Sequence, residues 1–253
     1  MTELAYLATI DDAYVRAFRA RVTALPPGGV VLERTYFYPT GGGQPSDLGT
    51  LGVDGAPPLA VVDVSKSGPS VVHRLKGGAA VRGALQVGEE VAGAIDWERR
   101  HRHMRLHTGQ HFVSGRVFAR TGRRTRKASF SGRRAVLELD GPLAAEVVPE
   151  LSEDVRSVVE RPRPIAIRHL ARAEWDRHPL SERSGLVPLP PQVDPVRVVD
   201  IDGLDLCPCG GTHLRSTGEI GPVAFEPPLP LGDGGCRLVF TLGEAPERPA
   251  PIG

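Results

Sequence analysis

The chain is poor in cysteine, in aromatic residues and in lysine, and each shortage closes a class of explanation. Three cysteines in 253 residues, two of them in the run Cys207-Pro208-Cys209, cannot build a disulfide framework. Aromatic residues make up 5% of the chain, too few for the stacked-base ladders of single-strand nucleic-acid binders. No run approaches the roughly 18 apolar residues that a membrane span requires. The opening MTELAYLATIDDAYVRAF puts acids where a signal peptide has its basic region and apolar core. These absences predict a cytoplasmic protein with no membrane partner. What is present is ordinary for a globular chain of one large or two modest domains: 40% hydrophobic and 24% charged residues.

The net charge of +1 is a sum of unlike parts. Between Trp97 and Arg134 stand twelve Lys and Arg against one acid, Glu98, a local +11 that the remainder offsets with −10. Such a segment is either a footprint for a polyanion or a solvated helix face. Arginine outnumbers lysine 28 to 3 throughout, so the arginine content alone does not single out this segment.

Glycine and proline punctuate short β-branched runs at 30–38, 59–67, 70–77 and about 81–91. This spacing predicts a small β-barrel-like domain over residues 1–93. At Asp96, a plausible N-cap, the texture changes: a Pro-free stretch runs from Trp97 to Arg120 with a stripe at 104, 107, 111, 114 and 118, and Gly122 ends it. The run 126–140 reads as a hairpin, and Leu143–Glu160 as a helix bent or interrupted at Pro149. Strands follow at 164–170, 195–201 and 235–242, with LVPLPPQVDP as a connection. Residues 94–242 are therefore expected to form an α+β domain, helices on one side of a largely antiparallel sheet. Residues 243–253 read as a disordered tail.

His107-Thr108-Gly109-Gln110-His111 places two imidazoles four apart on one helix face, where both can converge on one ion. His103 and His107 share that spacing, so periodicity leaves the register open. Cys209-Gly210-Gly211-Thr212-His213 repeats the spacing with a thiol, and its Gly-Gly permits a tight turn. Three nitrogens and one sulfur suit zinc over magnesium. A closed four-ligand site of this kind can be structural or catalytic. Cys207 is a competing thiol, and Cys236 reads as a small core residue.

The ordered set FYPTGGGQPSDLG (37–49), IDWERRHRHMRLHTGQH and VRVVDIDGLDLCPCGGTH resembles the freestanding alanyl-tRNA editing proteins and, more distantly, the editing domain of alanyl-tRNA synthetases. The likeness covers nearly the whole chain. It implies one zinc ion per chain on His107, His111, Cys209 and His213, which sets the register against His103. It implies an amino-acid pocket near Thr108 and Gln110 and the Gly210-Gly211-Thr212 turn. It also places the glycine-rich loop Gly41-Gly42-Gly43-Gln44 beside the site. Where the synthetase domains carry a Gln-x-Gly-Ser-like segment, this chain has Arg126-Lys127-Ala128-Ser129, so no substrate-contacting glutamine is carried over there.

The implied reaction is hydrolysis of the ester that joins a wrong amino acid, serine or glycine, to tRNA(Ala). Thr108 is expected to meet the seryl hydroxyl, a partner that an alanyl methyl would leave unsatisfied. Arg116, Arg120, Arg123, Arg124, Arg126 and Lys127 are expected to face tRNA phosphates, with steep salt dependence. Two other readings keep the ligands but change the function: a non-catalytic zinc-stabilised RNA-binding module, and a zinc hydrolase of a small ester or amide. No G-x-S-x-G elbow is present, which argues against a serine hydrolase.

Overall fold

The computed structural model describes residues 1–53, 55–78, 83–184 and 189–245. It is a mixed α/β chain with mostly antiparallel sheets and few helices, in two compact units, Met1–His103 and Met104–Gly253. Among the described residues no helix is long and apolar enough to cross a membrane.

In the first unit, β1 (Glu3–Leu4) pairs with β4 (Arg34–Thr35) in parallel. The other strands are β2 (Ala17–Ala24), β3 (Gly29–Leu32), β5 (Gly49–Gly52), β6 (Leu59–Ser67), β7 (Ser70–Leu75) and β8 (Glu90–Ile95). Their antiparallel pairings run β2-β3-β7-β6-β5-β8 and return to β2, a closed barrel. Closure removes the edges that would otherwise expose unpaired backbone. Val22, Val30, Leu32, Leu51, Val64 and Val91 fill the interior. The expected single strand over 30–38 is instead two short strands followed by irregular backbone. Beyond Thr35 the amides find side chains: Phe37 N–H donates to Thr35 Oγ1 (3.1 Å) and Tyr38 N–H to Asp47 Oδ2 (2.6 Å). The strand expected at 81–91 begins at Glu90; its residues 81 and 82 lie outside the described residues. Strands β2 and β5 had no counterpart in the sequence reading.

The long helix α1 (Trp97–Thr121) starts where Asp96 Oδ1 accepts the Arg99 N–H (3.1 Å) and ends at Gly122 with φ +70°. Its middle, residues 103–115, is buried on every side, so the polar groups there must find partners inside the protein. Arg105 does so by donating to the carbonyls of Ile220 (2.9 Å), Gly243 (3.1 Å) and Glu244 (3.1 Å).

In the second unit β9 (Thr125–Ser131) and β10 (Arg134–Leu139) form the expected hairpin. The strands β14 (Val223–Phe225), β15 (Leu229–Pro230) and β16 (Cys236–Leu242) complete a five-stranded sheet ordered β14-β16-β10-β9, with β15 also on β16. A second sheet joins β11 (Ile165–Leu170), β12 (Val196–Ile201) and β13 (Asp205–Pro208), all antiparallel. Helix α2 (Val147–Glu160) buries Leu151, Val155 and Val158 at helical spacing. It starts four residues later than the sequence suggested. Pro149 therefore falls in its first turn, where the missing N–H breaks no helical bond, and the expected interruption is absent. The short helix α3 (Arg172–Arg177) and strand β13 were not foreseen. In the LVPLPPQVDP connection 189–195 are irregular and 186–188 lie outside the described residues, as do 246–253 of the expected tail.

Candidate metal centre

His107 and His111 leave α1 one turn apart, and Cys209 and His213 close the turn that follows β13. One ligand atom from each lies within 4.8 Å of every other. His103, the alternative partner by spacing, is not in this group. Cys209 Sγ stands 3.5 Å from His107 Nε2 and 3.3 Å from His213 Nε2. The centroids of the His107 and His213 rings are 4.3 Å apart, and those of His111 and His213 4.6 Å. Phe130 of β9 packs 5.3 Å from the His107 ring.

The Gly-Gly pair in the turn has a steric cause at its second member. A Cβ built on Gly211 would lie 2.2 Å from His107 Cε1 and 2.5 Å from its Nδ1. The bare backbone therefore lets the imidazole approach, and Gly211 N–H also donates to Cys209 Sγ (3.2 Å). Gly210 meets nothing within 4 Å. Thr212 is buried.

The protonation states suit a cation. Burial, then the nearby His107, Arg183 and Arg197, hold His111 well below the ordinary histidine range. Burial, then His107, His111 and Arg197, do the same for His213. Both imidazoles are therefore neutral with a free lone pair at neutral pH. Burial pushes the Cys209 thiol up to about 12, so a cation binding there must displace its proton. Four soft donors gathered in a buried site, with a thiol that only a cation would ionise, fit zinc in donor type and number.

Around these four stand further groups: Thr108 and Gln110, expected near the site, and Arg197, Asp205 and Arg183, which sequence reasoning missed. Thr108 Oγ1 accepts the Leu214 N–H (3.1 Å) and lies 3.2 Å from His213 Nδ1. Its hydroxyl is wholly buried and engaged with the ligand-bearing turn. Gln110 Nε2 donates to Ser114 Oγ (2.8 Å), which is 2.7 Å from Thr125 Oγ1. Arg197 of β12 donates to the Cys209 carbonyl oxygen. Asp205, at the start of β13, places Oδ2 3.8 Å from His111 Nδ1 and forms an ion pair with Arg183. Burial raises Asp205 to about 6 against the opposing pull of Arg183. Nothing in the spacing around HTGQH or CGGTH pointed to Arg183, 26 residues before the second motif.

The basic segment is less free than its count suggests. Arg116 Nε meets Asp154 Oδ2 at 3.1 Å, and Arg120 pairs with Asp154 (2.9 Å) and Glu150. Arg124 pairs with Asp140 (2.9 Å) and Arg126 with Asp233 (2.7 Å). Arg123 packs over Gly141, and Lys127 is exposed. In the first unit, Gly41 and Gln44 exchange backbone hydrogen bonds of 3.1 and 2.9 Å around Gly42 (φ +54°) and Gly43 (φ +82°). That tight turn needs glycine at both central positions. Gln44 itself is fully buried.

Residues 6–99 match the pattern of the family described as tRNA synthetases class II (A), and residues 196–228 that of the threonyl and alanyl tRNA synthetase second additional domain. The chain is 35% identical over 255 residues to the alanyl-tRNA editing protein AlaX-M of Methanosarcina acetivorans, covering 96% of this chain and 99% of that one. It is 35% identical over 240 residues to an alanine–tRNA ligase of Pyrococcus abyssi and 36% over 245 residues to one of Pyrobaculum neutrophilum. These alignments cover 93% and 92% of this chain but only 25% and 26% of the ligases, so the chain spans about a quarter of their length.

Proposed function

The chain belongs to the alanyl-tRNA editing proteins, and from that membership we propose that it hydrolyses the aminoacyl ester of mischarged tRNA(Ala), with serine and glycine as the amino acids released. The observation that carries the reading is the convergence of His107, His111, Cys209 and His213 within 4.8 Å, in a chain that aligns end to end with an editing protein. The need for such an activity follows from binding physics. A pocket shaped for alanine gains only about 1–3 kcal/mol against a substrate lacking one methyl, and little against one with an added hydroxyl, so a second hydrolytic sieve supplies the missing discrimination.

His107, His111, Cys209 and His213 would hold one zinc ion. When bound, zinc supplies a Lewis acid near the ester or a fixed cation that shapes the pocket. The protein's own part is positional. Neutral imidazoles are kept neutral by burial, Gly211 leaves room for the His107 ring, and Thr108 ties His213 to the backbone of Leu214. Arg197 sets a guanidinium against the Cys209 carbonyl and, being only partly buried, offers positive charge next to the cluster. We assign the tRNA contact to Lys127 first, because Arg116, Arg120, Arg124 and Arg126 already have carboxylate partners and the charge of Arg123 acts on Asp140.

The test is release of amino acid from seryl-, glycyl- and alanyl-tRNA(Ala) by zinc-loaded protein. Loss of the seryl or glycyl ester with the alanyl ester spared is expected. Binding of the RNA without hydrolysis would instead mean a non-catalytic module. Hydrolysis of simple esters with no response to tRNA would mean a small-molecule enzyme. Thr108→Val separates two roles for the hydroxyl. The contacts of Oγ1 with Leu214 and His213 support a positioning role, in which zinc affinity falls several-fold and serine-over-alanine discrimination is kept. A fall in discrimination at unchanged zinc affinity would assign the hydroxyl to the substrate.

A further inference from the structure

His111 is gripped from behind by a buried ion pair that the editing chemistry does not itself require. Asp205 Oδ2 lies 3.8 Å from His111 Nδ1, and Arg183 holds the Asp205 carboxylate while its Nη2 donates to the His111 carbonyl oxygen (3.2 Å). The two side chains are 5% and 1% exposed, Arg183 and Asp205 respectively. A pair so deeply buried is worth little as a stabilising device, because desolvating both ions cancels most of their attraction unless every donor and acceptor is satisfied. Here the Asp205 carboxylate is held by the Arg183 guanidinium, while the His111 Nδ1 that it faces has no hydrogen-bond partner among the described residues.

The helix makes room for this arrangement. Gly115 follows His111 by one turn of α1, on the same face. A Cβ built on it would lie 3.0 Å from Asp205 Oδ1, 3.3 Å from Cγ and 3.4 Å from Cβ. A side chain there would press on the carboxylate and shift it by a few tenths of an ångström. A glycine in a helix interior costs about 1 kcal/mol relative to alanine, and its conformational freedom is not used here. Space for Asp205 is what its presence explains.

We propose that Asp205, held by Arg183 and admitted by Gly115, is the positioning residue whose carboxylate faces His111 Nδ1 at 3.8 Å and, by favouring the proton on that nitrogen, fixes the ring with Nε2 turned to the metal centre. A neutral imidazole has two tautomers, and only the one protonated on Nδ1 offers Nε2 as a ligand. A carboxylate behind the ring selects that tautomer and raises the basicity of the ligating nitrogen. The inference rests on the reading of the four residues as a metal centre and is independent of which substrate is hydrolysed.

The experiment is a zinc titration of the metal-free full chain against a chromophoric chelator, with the absorption spectrum of the cobalt-substituted protein as a second readout. Asp205→Asn is expected to weaken zinc binding about 10- to 100-fold and to alter the cobalt spectrum. Asp47→Asn, which breaks the buried pair of the first unit, is expected to destabilise the chain and leave zinc affinity unchanged. Gly115→Ala keeps both charges and carries the test if Asp205→Asn does not fold. It is expected to weaken zinc binding by a smaller factor, a few-fold. Zinc affinity within two-fold of wild type in a folded Asp205→Asn chain, or in Gly115→Ala, would overturn the proposal. A wild-type chain that takes up no zinc would remove the metal centre itself, and this inference with it.

Discussion

Each unit buries an arginine–aspartate pair, and the two pairs have different surroundings. In the first unit Arg100 donates from Nε to both oxygens of Asp47 (3.1 and 2.9 Å) and from Nη1 to the Ala13 carbonyl (2.8 Å). Its Nη2 reaches the Tyr36 carbonyl and Asp47. Asp47 in turn accepts the Tyr38 N–H. Both side chains are wholly buried, and the pair is a knot that ties the helix start to the irregular segment after β4. In the second unit Arg183 and Asp205 are nearly as deep, yet the His111 Nδ1 that faces the carboxylate at 3.8 Å has no hydrogen-bond partner among the described residues. A closed network specifies a fold, whereas the second pair stands directly behind one of the four grouped residues, His111.

The contrast can be broken in several ways. The largest effect belongs to Asp47→Asn, which leaves Arg100 buried beside a neutral amide. Unfolding stability should fall by about 3–5 kcal/mol, read by urea denaturation, and a loss under 1 kcal/mol would deny the pair its structural role. Next is the acid response of the barrel. His73 is fully buried and burial lowers it to about 4, with Nδ1 donating to the Val30 carbonyl (3.1 Å) and Nε2 2.8 Å from Thr35 Oγ1. Below about pH 6.5 the unfolded chain takes up a proton that the folded barrel refuses. Stability present above that pH is therefore lost as pH falls towards 4. Between pH 7 and pH 5 this amounts to about 2 kcal/mol for one such histidine. His73→Gln should start less stable at pH 7 and lose correspondingly less on acidification. An unchanged acid slope would mean that His73 does not carry it.

The smallest effect concerns the basic segment. Lys127→Ala should lower the slope of log K against log salt for tRNA binding by about 1. Arg120→Ala, by contrast, should act mainly on stability, because Arg120 is already paired with Asp154 and Glu150. Equal salt slopes for the two variants would show that the ion pairs open on the RNA.

The grouping of His107, His111, Cys209 and His213 was legible in the two short motifs HTGQH and CGGTH, but only with the family resemblance, because spacing alone left His103 and His107 interchangeable. The long helix was legible too, since Asp96 and Gly122 mark its ends chemically. Strands 59–67 and 165–170 announced themselves by β-branched alternation. What escaped was anything set by contacts between distant segments. Strand β2 reads AFRARVTA, with arginines at its exposed positions and little to mark it as β before its barrel neighbours are known. Gly115 looked like any helical glycine until Asp205, 90 residues later, was found in the space it leaves. Arg116, Arg120, Arg124 and Arg126 read as a free basic face because their partners Asp154, Glu150, Asp140 and Asp233 lie elsewhere in the chain. A count of charge along the sequence cannot show neutralisation in space.

The most direct measurement is the mass of the intact chain under native conditions, taken alongside its deacylation of seryl-tRNA(Ala). One zinc per chain is predicted, lost together with activity in Cys209→Ala and in His213→Ala. A metal-free chain that still releases serine would contradict the account.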